Sequence, residues 1–352
     1  MPQLDKYFQA MLKLNGSDLH LSEGEPPKVR IHGKIVPLAK SRLSHDVLRH
    51  AMSEICSHDR WNHFEHTGDL DFAHAMDEPK ARFRANYFRQ VNGIAAIFRH
   101  IPGKIRTLEE LNLPPVLETF TMLRAGLVLV TGPTGSGKST TLAALINRIN
   151  ATQIRHIVTI EEPVEFVHDP MQSVIGHREV GIDVNSFADG LYTATRQDVD
   201  IILVGEMRDQ ETVSLALQAA ARGLLVFGTL HTQSASKTID RIIDVFPVEE
   251  QGQIRTLLAD VLRGVVAQLL LRTPTGKGRV ACHEILTSAA GLASSIRDGN
   301  TGNIRNIIQA GRRYGMQMMD DAIFAATRDG LVDPQDAYMK ALDKNRFAQF
   351  QQ

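Results

Sequence analysis

The chain is nearly devoid of cysteine. Cys56 and Cys282 are the only two among 352 residues and lie far apart. Two thiols exclude a disulfide framework and a cysteine-rich zinc site on number alone. Both are expected to be buried, reduced thiols of a cytosolic protein. A charge excess of either sign is also missing. With a formal net charge of -1, no global positive field attracts nucleic acid or an anionic membrane. Long hydrophobic runs are absent too, none reaching the ~20 residues that a bilayer-spanning helix needs. Asp5 comes early with no long apolar run beside it, so no secretory signal is expected. Membrane contact is therefore expected only through partners. There is no internal repeat and no low-complexity tract. What remains is ordinary globular composition, 43% hydrophobic and 22% charged, in a chain long enough for about two domains.

What is present is a phosphate-binding signature. Gly132-Pro133-Thr134-Gly135-Ser136-Gly137-Lys138-Ser139-Thr140 follows the apolar run Leu127–Val130 and precedes a helix-like segment, Thr141 to Ile149. A G-x-x-x-x-G-K-[ST] run between a strand and a helix is the context of a P-loop. Its glycines let backbone N–H groups wrap phosphates, and the helix N-terminus adds a positive dipole end. Lys138 is placed to reach the β/γ-phosphates, and the Ser139 hydroxyl to ligate Mg²⁺. The implied ligand is a nucleoside triphosphate, ATP with Mg²⁺.

Two halves separate near residues 101–118, where Ile101-Pro102-Gly103-Lys104 and Leu113-Pro114-Pro115 punctuate the chain and mark a linker able to hinge at its ends. The domains are expected at residues 1–100 and 119–352. Ahead of the linker the pattern is mixed α/β. Leu4 to Leu14 has helical spacing, Val29-Arg30-Ile31-His32-Gly33-Lys34-Ile35 predicts a hairpin turning at Gly33, and 82–88 and 93–99 predict two further strands. The first of these alternates, so its arginines share one face. After the linker, short unalternating apolar runs at Leu127–Val130, Ile157–Ile160, Ile201–Val204 and Leu225–Leu230 suit strands of a parallel sheet buried on both faces. Helix-like segments cover Asp189–Arg196 and Gln210–Arg222. From Thr238 onward the chain reads as mostly helical, interrupted at Pro247, at Pro274-Thr275-Gly276-Lys277-Gly278 and at Asp298-Gly299-Asn300.

Hydrolysis of ATP needs a magnesium shell and a carboxylate that orients water. In open α/β sheets such groups sit beyond the carboxyl ends of strands. Glu161 follows Ile157–Ile160, and Glu206 follows Ile201–Val204 and Gly205. A solvated loop acid is the commoner fate of a glutamate, but two at strand ends beside a P-loop favour chemistry. Glu161 is the first candidate for the water-activating base, and Glu206 for the ligand that holds Mg²⁺ through water. The exchanged roles remain open. His231 ends a fourth strand, where an imidazole can hydrogen-bond a γ-phosphate.

Taken together, these segments resemble the PilT family of secretion-superfamily ATPases, the type IV pilus retraction motors. Gly16-Ser17-Asp18-Leu19-His20-Leu21 is similar to the family's N-terminal signature, 160–166 to its Asp box, 200–209 to its Walker B, and 227–232 continuing into 237–241 to its His box. The resemblance implies an α/β chain: a PAS-like α+β N-terminal domain, then a RecA-like P-loop domain with a mainly parallel sheet and a helical C-terminal part. It implies a homohexameric ring, nucleotide held between domains or subunits, and a cytoplasmic motor at the inner-membrane face. Its partner there would be a PilC-like platform protein, with no nucleic acid involved. Arg84 and Arg99 match the two arginines the family places near the γ-phosphate, whereas Arg82 and Arg89 are expected as plain exposed strand arginines.

The chain departs from the family pattern at Glu162, Val199 and Tyr192. The late retraction motif is degraded to Gly291-Leu292-Ala293-Ser294-Ser295-Ile296-Arg297-Asp298. These changes leave a paralogue that assists another motor as one alternative. An ATPase of a related type II or type IV secretion system is another, although two distant cysteines do not make the usual tetracysteine element of extension and type II ATPases. A non-hydrolysing structural ring and a DNA motor are more remote, the latter disfavoured by the neutral charge balance.

Overall fold

A computed structural model describes every residue except Met1, His32, Pro79, Lys80, Pro102, Lys277, Gln351 and Gln352. His32 of the expected hairpin, Pro102 of the linker and Lys277 of the late loop therefore lie outside the described residues. The chain forms two compact units. One comprises the residues up to Lys104 together with Pro163–Val167; the other comprises Ile105–Glu162 and the chain from His168 onward.

The first unit contains α1 (Asp5–Lys13), β1 (Asp18–Ser22), β2 (Lys28–Ile31), β3 (Lys34–Pro37), α2 (His45–Glu54), α3 (His58–Thr67), β4 (Asp69–Met76), β5 (Ala81–Gln90) and β6 (Gly93–Ile101). Its strands form one antiparallel sheet in the order β3-β2-β1-β6-β5-β4. Strand β5 shows why one face is covered. Ala81, Phe83, Ala85 and Tyr87 are buried, while the alternate Arg82, Arg84 and Asn86 are half-buried or exposed, the period of two that a strand imposes. Phe8 of α1 lies flat on Phe83 at 4.2 Å and edge-on to Phe98 at 4.9 Å. The one polar atom of buried Tyr87 donates to the Met52 carbonyl at 3.0 Å, so its burial leaves no orphan donor. Ser44 and Ser57 cap α2 and α3.

The second unit contains α4 (Val116–Thr121), β7 (Gly126–Thr131), α5 (Lys138–Thr152), β8 (His156–Glu161), β9 (Val174–Glu179), α6 (Phe187–Ala194), β10 (Ile201–Val204), α7 (Gln210–Ala221), β11 (Leu225–Leu230), α8 (Ala235–Asp244), α9 (Val248–Val261), β12 (Leu262–Arg272), β13 (Arg279–Thr287) and α10 (Leu292–Arg297). Four short helices follow: α11 (Ile304–Ala310), α12 (Met319–Arg328), α13 (Pro334–Lys340) and α14 (Lys344–Phe347). The sheet order is β13-β12-β7-β11-β10-β8-β9, all parallel except β13. Every residue of β7, β10 and β11 is buried, as an apolar run between two helical layers requires.

From Thr238 onward the chain is mostly helical, as expected, with one exception: β12 and β13 form a long antiparallel hairpin. Val265-Val266-Ala267-Gln268-Leu269-Leu270-Leu271 is an unbroken apolar run with one polar member, which periodicity alone cannot assign to helix or strand. Pairing with β7 decided it. Edge strand β9 also went unforeseen. Cys282 is buried and Cys56 half-buried, both free. No helix among the described residues is long and apolar enough to cross a membrane.

Two buried histidines make this unit acid-sensitive. His168 stacks on His177 with 5.7 Å between ring centroids, and His283 lies inside β13. Burial pushes both imidazoles down to about 4. Between pH 6.5 and about 4 the unfolded chain binds protons that the native state refuses, so stability falls as pH falls through that window. The loss is on the order of 1 kcal/mol per pH unit for each histidine. Denaturant midpoints of the full chain should drop from pH 6.5 to 4.5, and His168→Asn or His283→Asn should flatten the slope. Identical slopes in all three proteins would contradict the assignment.

Candidate nucleotide site

The parallel register places the expected chemistry along one edge of the second unit's sheet. Ile160 of β8 pairs with Val204 of β10, Val204 with Gly228 of β11, and Leu230 of β11 with Thr131 of β7. Glu161, Gly205-Glu206, His231 and Gly132 are thus the residues that leave, or have just left, four neighbouring strands. The ladder runs on past the strands: Gly205 N–H donates to the Ile160 carbonyl at 2.8 Å, and Met207 N–H to the Thr229 carbonyl at 3.0 Å.

The loop from Gly132 to Gly137 needs its glycines for different reasons. Gly132 has φ 143°, and a side-chain carbon there would meet the Gln268 carbonyl oxygen at 2.3 Å and Ser136 Oγ at 2.7 Å. At Gly135, φ is 78° with open space around it, so only backbone conformation demands glycine. Gly137 (φ 89°) caps α5. Lys138 Nζ donates to the carbonyls of Gly132 and Pro133 at 2.9 and 3.2 Å, folding the cation over its own loop. Ser139 and Thr140 lie in the first turn of α5, partly exposed. Ser136 Oγ is buried with no hydrogen-bond partner. An orphaned hydroxyl, a lysine turned to backbone oxygens and a glycine cradle fit a phosphate chain, whose oxygens accept from all of these donors.

Glu206 and His231 come together. Glu206 Oε1 lies 2.9 Å from His231 Nε2, and Oε2 accepts from Arg208 Nη2 at 2.7 Å. Burial alone would raise the Glu206 carboxyl; the Arg208 guanidinium, with His231 behind it, outweighs burial and holds it below its ordinary value. Each oxygen keeps a second lone pair, so the carboxylate can still accept from a metal-bound water. The donor set fits Mg²⁺, a hard ion that takes oxygen ligands and keeps much of its water. In the neutral ring, donation from Nε2 to Glu206 leaves Nδ1 an acceptor. His231 can then donate to a phosphate from Nδ1 only as imidazolium, or from Nε2 after leaving Glu206.

Arg84 and Arg99 belong to the first unit, as direct partners across the β5–β6 ladder. Like charges facing each other disfavour a sheet, and acids on neighbouring strands offset this. Buried Asp18 accepts from Arg99 Nε at 2.9 Å and lies 3.7 Å from Arg30, while Asp71 lies 3.5 Å from Arg84. Burial would raise the Asp18 carboxyl, but the Ser17 hydroxyl and Arg99 hold it below its usual value. The expectation for Arg82 is corrected: it is half-buried and its Nη2 reaches the Val164 carbonyl at 3.4 Å. Exposed Arg89 donates to the Glu65 carbonyl at 2.7 Å. At the departures from the family pattern, Arg196 lies over the Tyr192 ring, and Arg297 pairs with Asp260 at 2.7 Å.

Comparison with known proteins agrees with this geometry. The family described as "Type II/IV secretion system protein" matches residues 1–328. The retraction ATPase PilT of Pseudomonas aeruginosa is 44% identical over 329 residues, 94% of this chain and 95% of that protein. A twitching motility protein of Neisseria gonorrhoeae is 44% identical over 315 residues, 90% of this chain and 84% of that protein. A crystal structure of the pilus retraction motor PilT with bound ADP superposes with a TM-score of 0.89 at 40% identity, covering 98% of each chain. The chain belongs to the PilT family of ATPases.

Sequence reasoning missed two residues that the fold places in hydrogen bonds with this PilT-family site's candidates. Arg208 lay inside the Walker B resemblance without a role. Gln268 of β12 carried no motif signal, only its oddity as a polar residue in an apolar run. Its Nε2 donates to the Ser136 carbonyl at 2.7 Å, and its Oε1 accepts from Thr141 Oγ1 at 2.8 Å.

The contacts around the loop rank its glycines. Gly135→Ala meets only left-handed strain, about 1–2 kcal/mol, and should keep ADP binding within roughly thirtyfold. Gly132→Ala collides with the β12 backbone and should abolish it. Titration with fluorescent ADP distinguishes them, and equal losses would refute the steric ranking.

Proposed function

We propose that this chain is an ATP-hydrolysing ring motor that drives retraction of a type IV pilus. The observation that carries the reading is the common edge where the phosphate loop, Glu161, Glu206 and His231 leave adjacent strands. Mg²⁺, when bound with ATP, would neutralise charge on the β- and γ-phosphates, held by the Ser139 hydroxyl and, through water, by Glu206. Lys138 exchanges the Gly132 and Pro133 carbonyls for phosphate oxygens. Glu161 takes a proton from water as that oxygen bonds to the γ-phosphorus, and the bond to the β–γ bridging oxygen breaks, leaving ADP. Arg84 and Arg99 are the guanidinium groups proposed to stabilise charge on the γ-phosphate.

The likeness to the P. aeruginosa and N. gonorrhoeae proteins supports retraction as the work performed. A homohexamer on the cytoplasmic side of the inner membrane would pass its motion to a PilC-like platform protein. The degraded segment at Gly291–Asp298 supports a second reading, an accessory motor working beside a stronger one. Arg297, which survives from that motif, is engaged with Asp260.

Phosphate release by the purified full chain tests the chemistry. Lys138→Ala should lose turnover and weaken ATP binding; turnover surviving at the wild-type rate would remove the P-loop assignment. Glu161→Gln should still bind ATP while turnover falls about 10²–10⁴-fold, the range for losing a general base.

Expression in a twitching bacterium deleted for its own retraction ATPase tests the work. The wild-type chain should restore twitching and Lys138→Ala should not. Restoration only when a second resident motor is present would select the accessory reading.

A further inference from the structure

We infer that Gln268 is a positioning residue for nucleotide, setting the orientation of the Ser136–Gly137 peptide so that the phosphate loop can bind an anion; the inference rests on the nucleotide reading above. An anion nest requires successive backbone N–H groups to point inward, so the carbonyls of the same peptides must be satisfied elsewhere. At the start of the loop, Lys138 holds the Gly132 and Pro133 carbonyls until phosphate takes their place. In the middle, the Ser136 carbonyl accepts from Gln268 Nε2 at 2.7 Å. A trans peptide sets C=O and N–H on opposite sides, so turning the Ser136 carbonyl toward β12 turns the Gly137 N–H away from it.

The amide itself cannot rotate freely. The Ser136 carbonyl is acceptor-only and can be met only by the NH₂ end, while the Thr141 hydroxyl donates to Oε1 at 2.8 Å. Gln268, Ser136 and Thr141 are 2%, 3% and 1% exposed, and a buried amide that lost these partners would carry an unsatisfied-donor penalty. The same residue also explains two glycines of the motif. A side-chain carbon at Gly137 would lie 2.8 Å from Gln268 Nε2, and one at Gly132 would lie 2.3 Å from the Gln268 carbonyl oxygen. Register places Gln268 there, because Ala267 pairs with Thr131 across β12 and β7.

Two variants of the full chain separate this role from packing, with mant-ADP as the probe and Mg²⁺ present, each compared with wild type at the same pH. Gln268→Met keeps the volume and removes the donor, and should bind about tenfold more weakly at pH 8 and at pH 5.5. Gln268→Glu keeps the acceptor for Thr141 but cannot donate to the Ser136 carbonyl while ionised. It should bind more than tenfold more weakly at pH 8 and return to within about threefold at pH 5.5, when the buried carboxyl is protonated and its O–H can donate. That recovery is read within one folded protein, so a general packing defect does not imitate it. Folded variants that both bind within twofold of wild type would overturn the inference. So would a Gln268→Glu deficit that does not change with pH. If wild type and Lys138→Ala bind mant-ADP equally weakly, the nucleotide reading itself fails, a result distinguishable from either.

Discussion

The in-register parallel pairing of β7, β11, β10 and β8 is the constraint on which the second unit depends. Helical layers bury both faces of these strands, whose interiors are apolar apart from Thr159 and Thr229, with hydroxyls already bonded to His177 and to the Gly205 carbonyl. Chemistry is confined to their ends. Ile160 and Val204 stand level with Gly228, two residues before Leu230 and its partner Thr131; one step past Ile160, Leu230 or Thr131 reaches a residue of the site, and two steps past Val204 reach Glu206. A one-residue slip would exchange the faces of a whole strand and move its acid or histidine off that edge. The apolar core thereby sets the spacing of the candidate groups without contributing one.

At that edge the carboxylate and the imidazole are not independent. Glu206 is shared between Arg208 and His231, one oxygen to each. The shared carboxylate keeps its charge because cationic neighbours overcome its burial. The imidazole has committed one nitrogen to it, so a phosphate that recruits His231 as a donor must either protonate the ring or separate it from Glu206. Strand β10's acid and strand β11's histidine are therefore coupled by a hydrogen bond as well as by proximity.

The first unit meets a comparable electrostatic problem in a different way. Arg84 and Arg99 face each other across a ladder, where repulsion alone would weaken the pairing. Buried Asp18 and half-exposed Asp71 offset it from the flanking strands. The arrangement holds two guanidinium groups on one sheet face, each with a carboxylate that an incoming anion would have to displace or share.

Much of this was legible in residues alone. The phosphate loop, the four buried strand cores, the acids behind two of them and the alternation that puts Arg84 outward are local patterns, and local sterics with burial suffice to read them. The sheet order, the hairpin β12–β13 and edge strand β9 were not legible, because an apolar run is equally content in a helix or a strand until a neighbour supplies hydrogen bonds. For the same reason Gln268 was invisible: 132 positions separate it from Ser136, and only the β7–β12 register brings an ordinary glutamine beneath the loop. Sequence by itself determined that the chain holds phosphate and where its acids emerge. Tertiary structure decided which strand backs the loop, that Gly132 and Gly137 abut Gln268, and that His231 reaches Glu206, since each of those depends on a contact across the fold.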